Sequence, residues 1–376
     1  MKNKASVINI VPKKSIFEDE IRESSLLNNH DFFSYDWNAS KNKRIVSFFR
    51  LMHLFFSDKY LAYCFHWVPT NWLFILSLIF KRNTVLYFWG SDFYGSVISA
   101  KEIEAHCVRK TPRLIEFQSS FNIPYRRSIF RKLKAMMTCY LAGHSAGVVG
   151  TEKNYRYMRY CYWKYFRKLG FPDRLDLKMY GSEDIQPSEL LVDNCLDNSK
   201  NSVNILVCHN ASSDLNVRHT ARLLKELSEA FDINVYGFLS YSGGSEADRD
   251  QIESEYVELF SPFCKSVYFE RKFLDFQKLD SALKNIHVAV FSCYRDEGIC
   301  LLRRFLMMGG IVSFNKFSVN YGHFRQLSAS KLLSHDELLD MDEKKILQLR
   351  QAKVECDFSK PEFSVEMLKG KIKHGI

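Results

Sequence analysis

The sequence has no Cys-x-x-Cys pair and no cluster of Cys and His at metal-ligand spacing, so zinc ribbons and dithiol redox motifs drop out at once. Its ten cysteines are dispersed, and Cys64, Cys139, Cys208 and Cys293 among others sit in apolar runs. That pattern suits free thiols in a reducing compartment, not a disulfide framework. Glycine and proline number only 16 and 8, too few for a low-complexity chain. There is no Walker A run and no Gly-x-Gly-x-x-Gly, which leaves an ATPase or a dinucleotide enzyme without support. Helix-turn-helix, zinc-finger and RNP signatures are also missing, and with them the usual marks of a nucleic-acid reader. The basic start, Met1 to Lys4, is followed by an apolar run that ends at Pro12, too short for a secretory signal. Tyr60 to Phe80 contains no Asp, Glu, Lys or Arg and is long enough to span a bilayer. His66, Pro69, Thr70 and Asn71 interrupt it, however, and Val68–Asn71 reads as a turn with a helix cap. The prediction is a buried strand over Leu61–Trp67, a loop, and a buried helix from about Asn71.

What remains is a chain of 376 residues, longer than one hydrophobic core usually supports. Apolar strand-like runs at Ser6–Val11, Leu61–Trp67, Thr84–Trp89 and Ala146–Gly150 alternate with helical spacing at Ile103–Arg109 and Ser128–Leu141. Such alternation predicts a parallel sheet with helical crossovers. The stretch Gly181–Ser202 turns polar, and the same grammar then restarts. Strands are predicted at Val203–Cys208, Ile233–Leu239, Val267–Phe269, His287–Ser292 and Ile311–Asn315. Helices are predicted at Asn216–Phe231, Gln251–Leu259, Phe276–Lys284 and Gly298–Met308. The expected architecture is α/β of the GT-B kind: two Rossmann-like domains, 1–185 and 203–376, joined by a linker at 186–202 and facing across a cleft.

Charge is uneven between the halves. Residues 1–185 carry 29 Lys and Arg against 16 Asp and Glu, whereas the remainder carries 24 against 27. Between Lys101 and Lys168 there are 15 basic and 4 acidic residues. Such a field attracts polyanions: nucleic acid, anionic lipid or phosphorylated substrates.

In open α/β sheets ligands bind at the carboxyl ends of strands, and four predicted strand ends are rich in polar groups. His209-Asn210-Ala211-Ser212-Ser213-Asp214-Leu215-Asn216 runs from a strand into a helix that contains His219. Free backbone N–H groups and a positive helix end there could seat a pyrophosphate, with Asn210, Ser212 and Ser213 as added donors and Asp214 or Asn216 as cap. The competing reading is a well-capped loop with no ligand. Glu297, before Gly298 and Ile299, could accept both hydroxyls of a ribose, or could serve only as a charge at a helix start. Asp92, after an apolar strand, is either a general base or a turn Asp bonded to its own backbone. His66 is either a second candidate base or a core histidine.

The segment Trp89-Gly90-Ser91-Asp92-Phe93-Tyr94 resembles the WG-(A/S)-D-(L/F)-Y motif of glycosyltransferase family 56, the 4-acetamido-4,6-dideoxygalactose (Fuc4NAc) transferases of enterobacterial common antigen synthesis. His66, Pro69, Thr70, Trp72 and Leu73 are similar to a second motif of that family. Ile205-Leu206-Val207 with Asn210, Ser212, Ser213, Asp214, Asn216 and His219 resembles a third, with one residue more between Asn210 and His219. Glu297-Gly298-Ile299-Cys300-Leu301-Leu302 and the Gly310–Asn315 strand are similar to a fourth, in shortened form. The likeness covers roughly residues 60–330, in order; the first sixty residues match none of it.

The resemblance implies a hexosyltransferase that moves a deoxy-amino sugar from a nucleotide-sugar donor such as TDP-Fuc4NAc to a lipid-linked saccharide acceptor, in common-antigen or O-antigen polysaccharide synthesis. It places the donor on the Asn210–His219 and Glu297–Ile299 segments, and the acceptor near Trp89, Gly90, Tyr94 and Thr70. Asp92 or His66 would be the base. It implies no cofactor and no metal, since no Asp-x-Asp stands at a strand end and Asp173-Arg174-Leu175-Asp176 has the wrong spacing. Leaving-group charge would then fall to helix N-termini and basic side chains. Basic and aromatic residues interleave at Tyr125–Lys134 and Tyr155–Lys168, which suits an anionic membrane surface. The expected location is peripheral, on the cytoplasmic side of the bacterial inner membrane, with no nucleic-acid partner. A nucleic-acid-binding protein using the same basic half, and a catalytically inactive scaffold of this fold, are the alternatives.

Overall fold

The computed structural model describes residues 7–13, 18–36, 39–56, 59–66, 83–88, 129–150, 152–168, 170–177, 202–211, 216–240, 245–293, 298–316, 318–327 and 331–352. They form two compact units, each built on its own six-stranded parallel sheet.

The first unit runs β1 (Val7–Pro12), α1 (Glu18–Leu27), β2 (Asp31–Tyr35), α2 (Lys41–Phe56), β3 (Ala62–Phe65), β4 (Thr84–Tyr87), α3 (Ile129–His144), β5 (Gly147–Val149), α4 (Glu152–Phe166) and β6 (Arg174–Leu175). Strand order is β2-β1-β3-β4-β5-β6, every pair parallel. Buried parallel strands are apolar on both faces, and side chains alternate between them. Ile8, Ile10, Tyr63 and Phe65 pack with Leu51 of α2, Cys139 of α3 and Met158 of α4. Val7, Val11, Ala62 and Cys64 pack on the opposite face with Ile21 of α1.

The second unit runs β7 (Ser202–Cys208), α5 (Val217–Leu227), β8 (Asp232–Phe238), α6 (Glu246–Phe260), β9 (Ser266–Glu270), α7 (Phe276–Lys284), β10 (Val288–Phe291), α8 (Ile299–Met307), β11 (Ile311–Phe314), α9 (Val319–Leu327), β12 (Leu332–Ser334), α10 (His335–Leu339) and α11 (Glu343–Gln351). Its order, β9-β8-β7-β10-β11-β12, is the doubly wound 3-2-1-4-5-6 arrangement. One continuous core fills it. The buried side of α5 falls on Thr220, Ala221, Leu223, Leu224 and Leu227, the spacing of one helix face. α6 begins five residues before its expected start because Ser245 and Asp248 form a reciprocal capping box. Lys331 is buried, and its ammonium donates to the carbonyls of Gly309 (3.1 Å) and Arg350 (2.8 Å). It thereby ties the start of β12 to the ends of α8 and α11.

The predicted strands and the described predicted helices are present, with ends shifted by a few residues. The helix expected at Ile103–Arg109 and the one from Asn71 lie outside the described residues. So does the 186–202 linker, except Ser202, which already belongs to β7. Of Tyr60–Phe80, the described part is the buried strand β3 and its flanks. Among the described residues no helix is long and apolar enough to cross a membrane.

Candidate functional site at the carboxyl edge of the second sheet

In a 3-2-1-4-5-6 sheet the chain reverses its direction of winding between the first and fourth strands, and a crevice opens at their carboxyl ends. In the second unit those strands are β7 and β10. β7 delivers His209 and Asn210, and β10 delivers Ser292 and Cys293; all four are buried. The His209 ring stacks on Phe291, centroids 5.6 Å apart, and its Nε2 lies 2.9 Å from Asn210 Nδ2. An amide N–H is the donor there, so Nε2 accepts.

Gly298 closes over this ring. Its φ of 64° places it in the left-handed region, at the N-cap of α8, and a Cβ there would sit 3.0 Å from His209 Cγ. Both facts favour glycine. Gly298→Ala is therefore expected to cost about 1–2 kcal/mol from backbone conformation alone, before the ring gives way. Urea unfolding should register that loss, and an unchanged midpoint would show that the turn relaxes freely.

α5 opens from Asn216, whose backbone is also left-handed (φ 44°) and whose side chain makes no capping hydrogen bond. Asn tolerates that region better than most residues. Asn216 thus occupies the expected cap position but does not cap with its side chain. One turn into α5, His219 Nε2 meets Asn315 Nδ2 at 3.2 Å, from the end of β11. Next to it Thr220 donates to Ser292 Oγ (2.9 Å). Ser292 then meets His335 Nε2 (3.2 Å), and His335 Nδ1 meets Ser313 Oγ (3.0 Å). Burial, with His219 beside it, holds the His335 imidazole well below its ordinary range, so the ring is neutral, one nitrogen donating and the other accepting. The ends of β10, β11 and β12 and the start of α5 are tied together by these polar contacts.

The structure therefore brings Asn210, His219 and Gly298 to one edge of the sheet, joined by Asn216 at the base of α5 and by Ile299, half-buried against the core. Ser212, Ser213, Asp214 and Glu297 lie outside the described residues. Sequence reasoning missed Thr220, Ser292, Ser313 and His335. Ser292 and Ser313 are single polar residues in apolar strands, Thr220 and His335 lie in mixed polar segments, and only the packing of α5 on the paired β10, β11 and β12 makes the four neighbours.

In the first unit the sheet reverses between β1 and β3, and His66 follows β3 there. It is buried, its Nε2 lies 2.8 Å from Asn9 Oδ1, and its ring stacks on Tyr87 (4.2 Å). Asn9 in turn donates to Ser25 of α1 (2.9 Å). Burial pushes the His66 pKa down to about 3. These contacts are those of a core histidine that ties β3 to β1 and α1. Asp92, Trp89, Gly90, Tyr94 and Thr70 lie outside the described residues.

No protein-family model matches the sequence, and no curated protein does. Solved structures are similar in fold. A sucrose-phosphate synthase from Thermosynechococcus elongatus shares 11% identity over 98% of both chains, at a TM-score of 0.55. WaaG, a glycosyltransferase involved in lipopolysaccharide biosynthesis, shares 11% over 92% of both chains at 0.51. A glycosyltransferase from Rickettsia africae shares 11% over 93% of both at 0.51. Two parallel, Rossmann-like units in tandem and these neighbours together give the chain the GT-B fold.

Proposed function

We propose that this chain is a glycosyltransferase that moves a hexose from a nucleotide-diphosphate donor. Its donor would be a deoxy-amino sugar nucleotide such as TDP-Fuc4NAc. Its acceptor would be a polyprenyl-diphosphate-linked saccharide of bacterial surface polysaccharide synthesis, met at the cytoplasmic side of the inner membrane by peripheral attachment. One observation carries the reading: at the carboxyl ends of β7 and β10, the switch point of the doubly wound sheet, the Gly298 backbone lies on the His209 ring and α8 starts. The first N–H groups of a helix have no partner within it, and a helix start is where a diphosphate is held. Support for the wider assignment comes from the neighbours, among them HepE of Anabaena, whose structure is a complex with UDP and glucose, at 9% identity and a TM-score of 0.50. The family-56 motifs carry the choice of sugar.

The test is a reaction of the purified chain with bacterial lipid extract and a panel of nucleotide sugars, followed by mass spectrometry of the lipids. A mass increment of one acetamido-dideoxyhexose from the TDP sugar is expected. No transfer from any donor would sink the proposal. Within it, Glu297→Gln should remove charged hydrogen bonds to the donor ribose, about 1.5–3 kcal/mol, or about 10–150-fold in Kd. Calorimetry that finds unchanged affinity would leave Glu297 a helix-start charge only.

A further inference from the structure

We propose that the face of the first sheet covered by α2, α3 and α4 docks on an anionic lipid bilayer, with Ile45, Val46 and Phe49 of α2 and Trp163 of α4 as its apolar anchors. This rests on the lipid-linked acceptor of the reading above and names the surface that meets the lipid.

α2 turns Leu51 into the core, flanked by Phe48 and Leu54. A surface helix with one buried stripe normally shows polar residues on its other side. Here Ile45, Val46 and Phe49 are 41%, 51% and 64% exposed. At 100° per residue they fall on the side away from Leu51. So α2 is apolar on two sides, and its own core uses only one of them. Its 16 residues make about 24 Å of helix, too short to span, and Lys41, Lys43, Arg44 and Arg50 are exposed along it. Such a helix lies in the interfacial plane of a membrane.

α4 presents a matching stripe. Arg156, Arg159 and Trp163 are exposed at helical spacing, and Arg167 follows the last turn. Trp163 is 40% exposed, with the Arg167 guanidinium 5.0 Å from its ring centroid and Tyr160 at 6.0 Å. Trp and Tyr rings flanked by Arg are the residues that settle at headgroup level.

Charge decides the class of partner. Among the described side chains of α2 and α4, Lys41, Lys43, Arg44, Arg50, Arg156 and Arg159 are exposed and there is no carboxylate. α1, on the opposite face, reads Glu-Asp-Glu-Ile-Arg-Glu. A cationic face fits an anionic partner. A nucleic-acid backbone has no use for exposed Ile, Val and Phe in a row, whereas the acyl boundary of a bilayer does. The expected consequence also departs from purely ionic attachment: salt should weaken the association without abolishing it.

The experiment is co-sedimentation of the full chain with vesicles of phosphatidylcholine, with and without phosphatidylglycerol. The wild type should pellet with the anionic vesicles and retain some binding at roughly 1 M salt, where the Debye length is ~3 Å. Replacing Ile45, Val46 and Phe49 together by Ser should lower the partition coefficient by about tenfold or more. Replacing Leu26 and Leu27, which are 76% and 87% exposed on α1, by Ser should leave it unchanged. Thermal melts of both variants report whether they are folded, and all five positions are exposed. Equal binding by the α2 variant, or equal loss in the α1 control, overturns the inference. So does a wild type that ignores vesicles but binds single-stranded RNA, or an α2 change that alters only self-association in sedimentation velocity. Transfer to a water-soluble acceptor fragment keeps the two proposals apart: activity with α2-independent vesicle binding sinks the docking face alone. Vesicle binding that needs α2, with no transfer from any donor, sinks the enzymatic reading alone.

Discussion

Asp92→Asn is expected to lower turnover by about 10²–10⁴-fold while donor affinity stays intact. An acceptor hydroxyl must lose its proton as the glycosidic bond forms, so a base has to lie within hydrogen-bond reach of it. Two residues compete for that role on sequence grounds, and the fold treats His66 in a way that weakens its claim. The ring is buried beneath α1, held by Asn9, and its pKa is pushed down to about 3. An imidazole that binds a proton so poorly near neutral pH is a weak base. On the proposed function, the role would then fall to Asp92 in the Trp89–Tyr94 segment. The Asn variant keeps the shape and loses the basic oxygen, so single-turnover kinetics should slow with calorimetric donor binding unchanged. His66→Ala should behave differently, costing stability through the lost Asn9 contact and the emptied space against Tyr87. Near-normal turnover in Asp92→Asn, with loss in a folded His66 variant, would reverse the assignment.

Acidification from pH 7 to pH 5 should destabilise both units. Burial pushes His66 to about 3 and His287 to about 4, and lowers His335 as well. His287 Nδ1 accepts the backbone N–H of Asn204 at 2.7 Å, a bond that protonation at that nitrogen would break. A ring with a folded pKa below its unfolded value takes up its proton first in the unfolded chain. Its stabilisation is therefore complete above about pH 6.5 and drains away as pH falls toward the folded value. Over this window His66 costs the first unit about 2 kcal/mol and His287 costs the second about the same. His335 adds to the second unit's loss in the same direction. Carboxylates that the fold holds low, such as Asp248, Asp275 and Glu337, lose their contribution only at lower pH, so they do not blur the reading. Urea unfolding at the two pH values measures the effect, and His66→Gln should remove the first unit's share. Equal midpoints at pH 7 and pH 5 would mean that the imidazoles titrate normally.

Five of the second unit's six strands were legible because its buried parallel strands are unbroken apolar runs between polar turns, as Val288–Phe291 and Ile311–Phe314 show; the three-residue β12 (Leu332–Ser334) is too short to stand out and was missed. In the first unit β1 was read, but α1, β2 and α2 after it were not. β2 is an edge strand, Asp-Phe-Phe-Ser-Tyr, half-buried along most of its length, and no alternation marks it. α2 hid itself by being apolar on two sides, which erases the single-face period that sequence reading looks for. At the site, Asn210, Asn216, His219 and Gly298 could be found because strand-to-helix junctions are where backbone donors and small residues concentrate. Of the two possible caps, Asp214 lies outside the described residues, and Asn216, at the N-cap with a left-handed backbone, makes no side-chain capping hydrogen bond. His335, Ser292 and Ser313 were out of reach, since their meaning comes from strand order, which local sequence does not encode.

The opposite charges on the two faces of the first unit have a kinetic consequence. A body that is cationic on one side and rich in carboxylates on the other experiences a torque near any anionic surface, effective within a Debye length of roughly 8–10 Å. If the proposed docking face is right, the unit would turn before it touches, so encounters that present α1 would be filtered out and productive ones enriched. Arrival would then follow ionic strength, while the lifetime of the contact would follow the apolar side chains of α2, and the two could be varied independently by substitution on opposite sides of the same sheet.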